Sequence, residues 1–388
     1  MTPLRLGFLL DHPTQFEGPF FRYADGKGDA KLTVIYLSAK ESSEVFDPEL
    51  GRAVSWGIDL LGGYDYKKLP ASGWVKWLWG ELSPARYDCL IINGYTRAPY
   101  LMALAIAKLR GIKVALRIDS VLFSSPAPVK RAYKRVAYAV LLRLYDLFLA
   151  TGTLAREYLL HFGAAPRRIA LFPYTVDTEY FRHRAAELGP QRAAIRRRYG
   201  IPEGARVILA IAKLNHREAP WDLLRAIDGL DRQDWWTVVV GDGDQRGALE
   251  AFVQERRTGR VVFTGYVPYT DLVSMYVSAD VFVHAAGNEP WGVSVHEAIA
   301  CDLPIVASSR VGAAYDLIKP GRNGYMYEAG DKDDLRGKLL LALDRLDPDE
   351  VREANQEILN GWNYTTTWHA IVNGCKECVK REKKATEA

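Results

Sequence analysis

Cysteine is scarce in this chain: Cys89, Cys301, Cys375 and Cys378 are the only four among 388 residues. So few, so scattered, exclude a disulfide framework, and a reducing, cytoplasmic location is expected. Cys375 and Cys378 form a C-x-x-C with His369 nearby. A structural zinc needs a full tetrahedral ligand set, and no second pair stands in that region, so the expectation is two reduced thiols on a C-terminal helix. Charge of one sign is also missing. Lys and Arg number 51 against 47 Asp and Glu, a net charge of +4. A nucleic-acid binder would carry a dominant basic stripe, so no nucleic-acid partner is expected. Long hydrophobic runs are absent too. The longest, Val136 to Ala150, is broken by Arg143 and Asp146, short of the ~20 apolar residues of a spanning helix. Met1-Thr2-Pro3 leads straight into an apolar run with no basic start and no small-residue cleavage site, so no targeting segment is expected.

What is present is ordinary globular composition, 48% hydrophobic and 25% charged, in a chain long enough for two cores. Short β-rich runs alternate with helix-period runs, and the series occurs twice. The first is Leu4–Leu10, Leu32–Leu37, Tyr87–Asn93, Val114–Ile118, Leu147–Thr151 and Ile169–Pro173. The second is Val207–Leu214, Thr237–Gly241, Val261–Gly265, Val281–Ala285, Pro304–Ala307 and Tyr325–Tyr327. Alternation of this kind means an α/β fold with parallel sheets covered by helices on both faces. Two doubly wound, Rossmann-like domains are expected, over 1–175 and 176–360, facing across a cleft, with a helix over 361–388 crossing back to the first. A polar, Arg-rich piece between Pro173 and Arg206 marks the join. Ligands of such sheets bind beyond the carboxyl ends of the strands.

The most informative stretch runs from Glu289 to Glu297, Glu-Pro-Trp-Gly-Val-Ser-Val-His-Glu. Pro290 suits a turn or a first helical position, so a helix is expected to open near Trp291. The N–H groups around Gly292, Val293 and Ser294 then make an anion site suited to a diphosphate. At ~1.5 Å per residue the two carboxylates stand up to ~12 Å apart, comparable with the reach from a hexose across a diphosphate to a ribose.

This stretch resembles the E-x7-E signature of the family 4 (group 1) retaining glycosyltransferases, which have the two-domain GT-B fold. Other segments match in order. Phe172 to Phe181 is similar to the family's P-N-G-V-D-x-x-x-F, Val238 to Gly243 to its V-G-D-G turn, and Phe263 to Val267 to the F-x-G-x-V strand beside the nucleobase. Val311-Gly312 with Asp316, then Gly321 to Gly324, resembles G-G-x-x-E…G-x-N-G. The resemblance implies transfer of a hexose-type sugar from a nucleotide donor, UDP- or GDP-linked, to a glycan or lipid-linked acceptor in cell-surface polysaccharide or glycolipid synthesis. It implies front-face displacement with no obligatory side-chain base and no bound metal.

Site residues follow from the same resemblance. Lys213 falls on the family's diphosphate-binding Arg, a change that loses the planar fork. The usual Lys position holds Glu218, which would repel a diphosphate, and Arg217 is the expected substitute. Glu289 is expected to meet the sugar hydroxyls, and Glu297 the ribose. Gly292, Val293, Ser294, Gly241 and Tyr266 complete the expected donor contacts. In the first domain, Gly18 resembles a glycine that lets backbone approach the donor, and Asp119 stands where many relatives carry a sugar-contacting His. Three departures, Glu218, Ala285-Ala286 for P-S and Asp302 for Gly, leave open a non-catalytic sugar-nucleotide-binding subunit. Another GT-B enzyme, such as a sugar-nucleotide epimerase, is a further alternative. Trp74, Trp77 and Trp79, with a basic run over Lys130 to Arg135, suggest peripheral contact with an anionic membrane.

Overall fold

The apolar runs become strands because both of their faces are covered, which turns the usual in–out alternation into nearly continuous Val, Ile and Leu. In the computed structural model the described residues are 3–38, 44–47, 52–55, 57–123, 138, 140–230, 234–256 and 260–386. The chain forms two compact units. Met1–Glu41, Asp59–Thr175 and Trp362–Ala388 make the first, and Ser42–Ile58 with Val176–Gly361 make the second.

The first unit is built on β1 (Leu4–Leu10), β2 (Ala30–Tyr36), β5 (Tyr66–Lys68), β6 (Cys89–Asn93), β7 (Lys113–Ile118), β8 (Leu147–Ala150) and β9 (Ile169–Leu171). They form one parallel sheet in the order β5-β2-β1-β6-β7-β8-β9. Two strands between β2 and β5, β3 (Glu44–Asp47) and β4 (Arg52–Ser55), pair antiparallel as a separate hairpin. That segment is counted with the second unit, a detour that the strand–helix rhythm does not announce. The C-terminal helix Tyr364–Thr386 packs on the first sheet, with Trp368, Ile371, Val372 and Cys375 buried among Phe8, Phe20, Phe21 and Leu149. Trp368 donates its indole N–H to Asp29 at 2.7 Å. Cys375 and Cys378 are buried free thiols on this helix.

A buried ion pair ties the sheet's carboxyl end together. Arg117 on β7 is 1% exposed and donates to Glu17 in the first turn of helix Glu17–Asp25. Its guanidinium lies 4.3 Å from the ring centres of both Phe172 and Tyr174, the geometry of a cation–π contact.

The second unit has a six-stranded parallel sheet in the order β12-β11-β10-β13-β14-β15. These are β10 (Arg206–Ile211), β11 (Trp235–Val240), β12 (Val261–Gly265), β13 (Val281–His284), β14 (Ile305–Ser308) and β15 (Gly324–Tyr327). The Arg-rich piece is not loose: it folds as the helices Thr178–Leu188 and Arg192–Arg198. Asp280 accepts from Arg192 at 2.6 Å, Arg196 at 2.7 Å and the Val207 N–H at 2.6 Å. One carboxylate thus fixes helix Arg192–Arg198 to the amino end of β10. Asp302 has φ +60°, the left-handed region that favours glycine, which accounts for the glycine that relatives were expected to carry there.

Candidate functional site

Loops at the carboxyl ends of β10, β11, β12 and β13 carry the candidate residues of the second unit. The loop after β10 brings Lys213 and Arg217, and it is clamped by the turn after β11. Leu214 donates its N–H to Asp242 O at 2.9 Å, and Gln245 donates to Leu214 O at 3.0 Å. A Cβ on Gly243 would lie 2.4 Å from Leu214 O, and one on Gly241, at φ +135°, only 1.9 Å from Ala212 O. The glycines of the V-G-D-G turn therefore serve close backbone approach. Gly241 holds the loop that carries Lys213, which is half-buried.

Glu218 is buried, not a surface partner, and its carboxylate accepts from Arg217 Nη2 at 2.6 Å. The other guanidinium nitrogen of Arg217 stands 3.5 Å from Glu289. Arg217 thus reaches both carboxylates. The Gly287 N–H donates to Arg217 O at 2.9 Å and couples the two loops.

The Glu289 loop is zipped to the segment after β14. Glu289 N–H donates to Arg310 O at 2.9 Å, and Gly312 N–H donates back to Glu289 O at 2.9 Å. A Cβ on Gly312 would lie 1.9 Å from Pro290 O, so only glycine fits. The helix opens at Val293, two residues later than the Pro290 pattern suggests, because Gly292 at φ +101° turns the chain first and Trp291 is buried. Val293 and Ser294 occupy the first turn, where N–H groups have no intrahelical acceptor. Trp291 N–H is given to Glu289 at 3.2 Å.

Glu297 lies one turn further, 4% exposed, and accepts the Tyr276 hydroxyl at 2.6 Å. Burial pushes its carboxyl up to about 7, with the Tyr276 bond opposing. Tyr266, just after β12, is half-buried.

Sequence reasoning missed His284 at the end of β13. It is 5% exposed, and its Nε2 makes no hydrogen bond among the described residues. Ligand atoms of Glu218, His284 and Glu289 lie within 4.8 Å of one another, which makes them a candidate metal-binding group. The signal was available as a histidine closing the run Val-Phe-Val just ahead of the E-x7-E stretch.

The two candidates in the first unit fare differently. Asp119 is half-buried after β7 and accepts the Tyr174 hydroxyl at 3.0 Å. Gly18 is buried inside helix Glu17–Asp25, its N–H already given to Thr14 O at 3.1 Å. A Cβ there would lie 2.7 Å from Leu60 O. Packing on Leu60 accounts for this glycine.

Residues 191–357 match the family model Glycosyl transferases group 1. The second unit belongs to the group 1 glycosyl transferases. A 2-deoxystreptamine glucosyltransferase of Streptomyces kanamyceticus is 33% identical to this chain over 160 residues, 40% of this chain and 40% of that protein. The chain spans about half the length of the curated relatives it matches. Among solved structures, a glycosyltransferase from Rickettsia africae superposes with a TM-score of 0.76 at 15% identity, over 98% of this chain and 100% of that one. The Anabaena protein HepE in complex with UDP-glucose gives a TM-score of 0.70 at 16% identity, over 96% of this chain and 100% of that one. The fold is GT-B.

In this group 1 unit Glu297 carries a pH signature. Its carboxyl titrates near 7 when folded against an ordinary 4.5, so the folded chain holds a proton that the unfolded chain releases between those values. The stability it contributes is complete below the unfolded value and lost as pH rises through the folded one. Glu297→Gln, neutral throughout, should gain on the wild type by on the order of 3 kcal/mol between about pH 5 and about pH 8. Denaturant titrations across that range check it; parallel pH profiles would place the proton elsewhere.

Proposed function

We propose that this protein is a retaining glycosyltransferase that moves a hexose-type sugar from a UDP- or GDP-linked donor to a glycan or lipid-linked acceptor. The observation that carries the reading is Arg217 held beside Glu289 at the head of helix Val293–Ala300, within the segment matching the group 1 model. The binding of UDP-glucose by HepE supports a nucleotide-sugar donor.

In this reading the acceptor oxygen bonds to the anomeric carbon as the bond from that carbon to the β-phosphate oxygen breaks. The departing phosphate takes the acceptor's proton. Lys213, Arg217 and the first N–H groups of helix Val293–Ala300 stabilise the charge that grows on the diphosphate. Glu289 accepts hydrogen bonds from sugar hydroxyls and Glu297 from ribose hydroxyls. Asp119, on the first unit, is read as an acceptor of hydrogen bonds from donor-sugar hydroxyls.

Purified protein incubated with UDP-, GDP- and ADP-glucose or -mannose tests this. Slow release of the nucleoside diphosphate and an α-configured sugar, read by NMR, are expected with one of the bases. Thermal stabilisation by a nucleotide without any turnover would make the protein a binding subunit.

Peripheral contact with a membrane on the cytoplasmic side belongs to the same proposal, on a revised surface. No helix among the described residues is long and apolar enough to cross a membrane. Trp74 and Trp77 pack against the first unit's core, whereas Trp79 is 49% and Leu109 77% exposed, joined by Val75 and Leu101. The basic run Lys130 to Arg135 lies outside the described residues. Trp79→Ala with Leu109→Ser should cut sedimentation with anionic vesicles several-fold, because indoles and leucines supply the salt-insensitive part of such binding. Trp77→Ala should instead lower the melting temperature. Undiminished vesicle binding by the double variant would move the contact elsewhere.

A further inference from the structure

We propose that Glu218, His284 and Glu289 form a binding site for a divalent first-row cation on the second unit. The metal-free expectation drawn from the sequence did not include His284, and the cation site stands on three observations.

The first is convergence. Glu218 comes from the loop after β10, His284 from the end of β13 and Glu289 from the loop that follows β13. One ligand atom from each lies within 4.8 Å of the other two, so that small side-chain movements would bring all three onto a single ion at ~2.0–2.2 Å. The second is the histidine. His284 is 5% exposed, and its Nε2 is buried without a hydrogen-bond partner among the described residues. A buried imidazole nitrogen without a hydrogen-bond partner, on a side chain grouped with two carboxylates, offers a lone pair to a Lewis acid in the tautomer that leaves it unprotonated. The third is the space at that nitrogen. A Cβ built on Gly292 would lie 3.4 Å from His284 Nε2 and 2.9 Å from Val311 Cγ1. Gly292 therefore keeps the imidazole edge clear, at the mouth of the loop that also carries Glu289.

One imidazole and two carboxylates suit Mn2+, Fe2+, Co2+ or Zn2+. Three protein ligands leave coordination positions open for oxygens of an anionic ligand, and a diphosphate is the chemistry that fits. Arg217 is the competitor. Its guanidinium reaches Glu218 and Glu289, its side chain is 45% exposed, and it has room to swing out when an ion enters. The cation site shares Glu289 with the proposed donor site but does not need transfer activity to exist.

The test is Mn2+ binding to the chelator-treated protein, followed by loss of the free-ion electron paramagnetic resonance signal without nucleotide. One ion per chain is expected, displaced by Zn2+. Glu218→Gln and His284→Ala should each weaken binding by about tenfold or more. Glu250→Gln, on the outside of helix Arg246–Glu255, should leave it unchanged. Arg217→Ala should tighten binding several-fold by removing the competing cation. Wild-type protein that leaves the Mn2+ signal untouched, or Glu218→Gln protein that binds as tightly as wild type, would overturn the proposal. Glu218→Gln carries the test even where His284→Ala fails to fold. A protein that binds Mn2+ yet neither hydrolyses nor transfers any donor would refute the transferase reading and leave the cation site standing.

Discussion

Lys213→Ala is expected to lower turnover by about 100- to 1,000-fold, the cost of removing one preorganised charge from the site where a leaving group becomes anionic. The loop around it is held by backbone, through Leu214 with Asp242 and Gln245 with Leu214. The variant should therefore lose the charge without losing the loop. Affinity for the nucleoside diphosphate should fall much less than turnover, because the interaction strengthens as the bond to the sugar breaks. Lys213→Arg should recover part of the rate, since a guanidinium keeps the charge and adds a fork. Arg217→Ala should also slow turnover, and its release of Glu218 and Glu289 separates it from Lys213 in kind. Single-turnover kinetics with a fixed donor decide the matter. A Lys213→Ala protein with wild-type turnover would remove this residue from the reaction.

The second large effect concerns folding of the first unit. Arg117→Ala should cost about 3–5 kcal/mol, the range for breaking a buried ion pair by deleting one partner. Glu17 would remain buried, still accepting the Thr14 hydroxyl at 2.9 Å. The cation–π contacts of the guanidinium with Phe172 and Tyr174 would vanish as well. Tyr174 holds Asp119 by its hydroxyl, so the loss should reach the loop after β7. Replacing both Glu17 and Arg117 by apolar residues of similar volume should recover most of the stability, since the pair's desolvation cost goes with it. Urea unfolding of the two variants checks both statements. An Arg117→Ala protein as stable as wild type would mean that Glu17 finds another cation or takes up a proton.

Much of the architecture was legible because burial on both faces writes itself into the sequence. Val-Ile-Leu-Ala-Ile at β10 and Val-Phe-Val at β13 have no other comfortable home than the middle of a parallel sheet. The residues that follow each such strand could therefore be placed at its carboxyl end. The E-x7-E stretch and the V-G-D-G turn were visible for a related reason: glycines at 241, 243, 292 and 312 answer backbone constraints of φ or approach that no other residue meets. The edge strand β5 and the hairpin β3–β4 were not visible, because they are short and their sequences lack an apolar run.

What only the tertiary structure decided was which residues meet. Nothing local marks Glu17 as the partner of Arg117, 100 positions away, or Leu60 as the reason that position 18 is glycine. Trp74, Trp77 and Trp79 look alike in sequence, yet helix Trp74–Glu81 turns two toward the core and leaves Trp79 outside. Glu218 reads as an exposed acid next to Arg217, but the turn into helix Pro220–Asp228, with Ala219 in the left-handed region, buries it. His284 reads as the polar end of a strand. Long-range packing sets it beside Glu218 and Glu289, because strand order, not chain order, puts the carboxyl ends of β10 and β13 side by side. Composition and periodicity report how much of each residue is buried, and motifs report local backbone demands. Neither carries the pairwise distances on which charge, proton and metal chemistry depend.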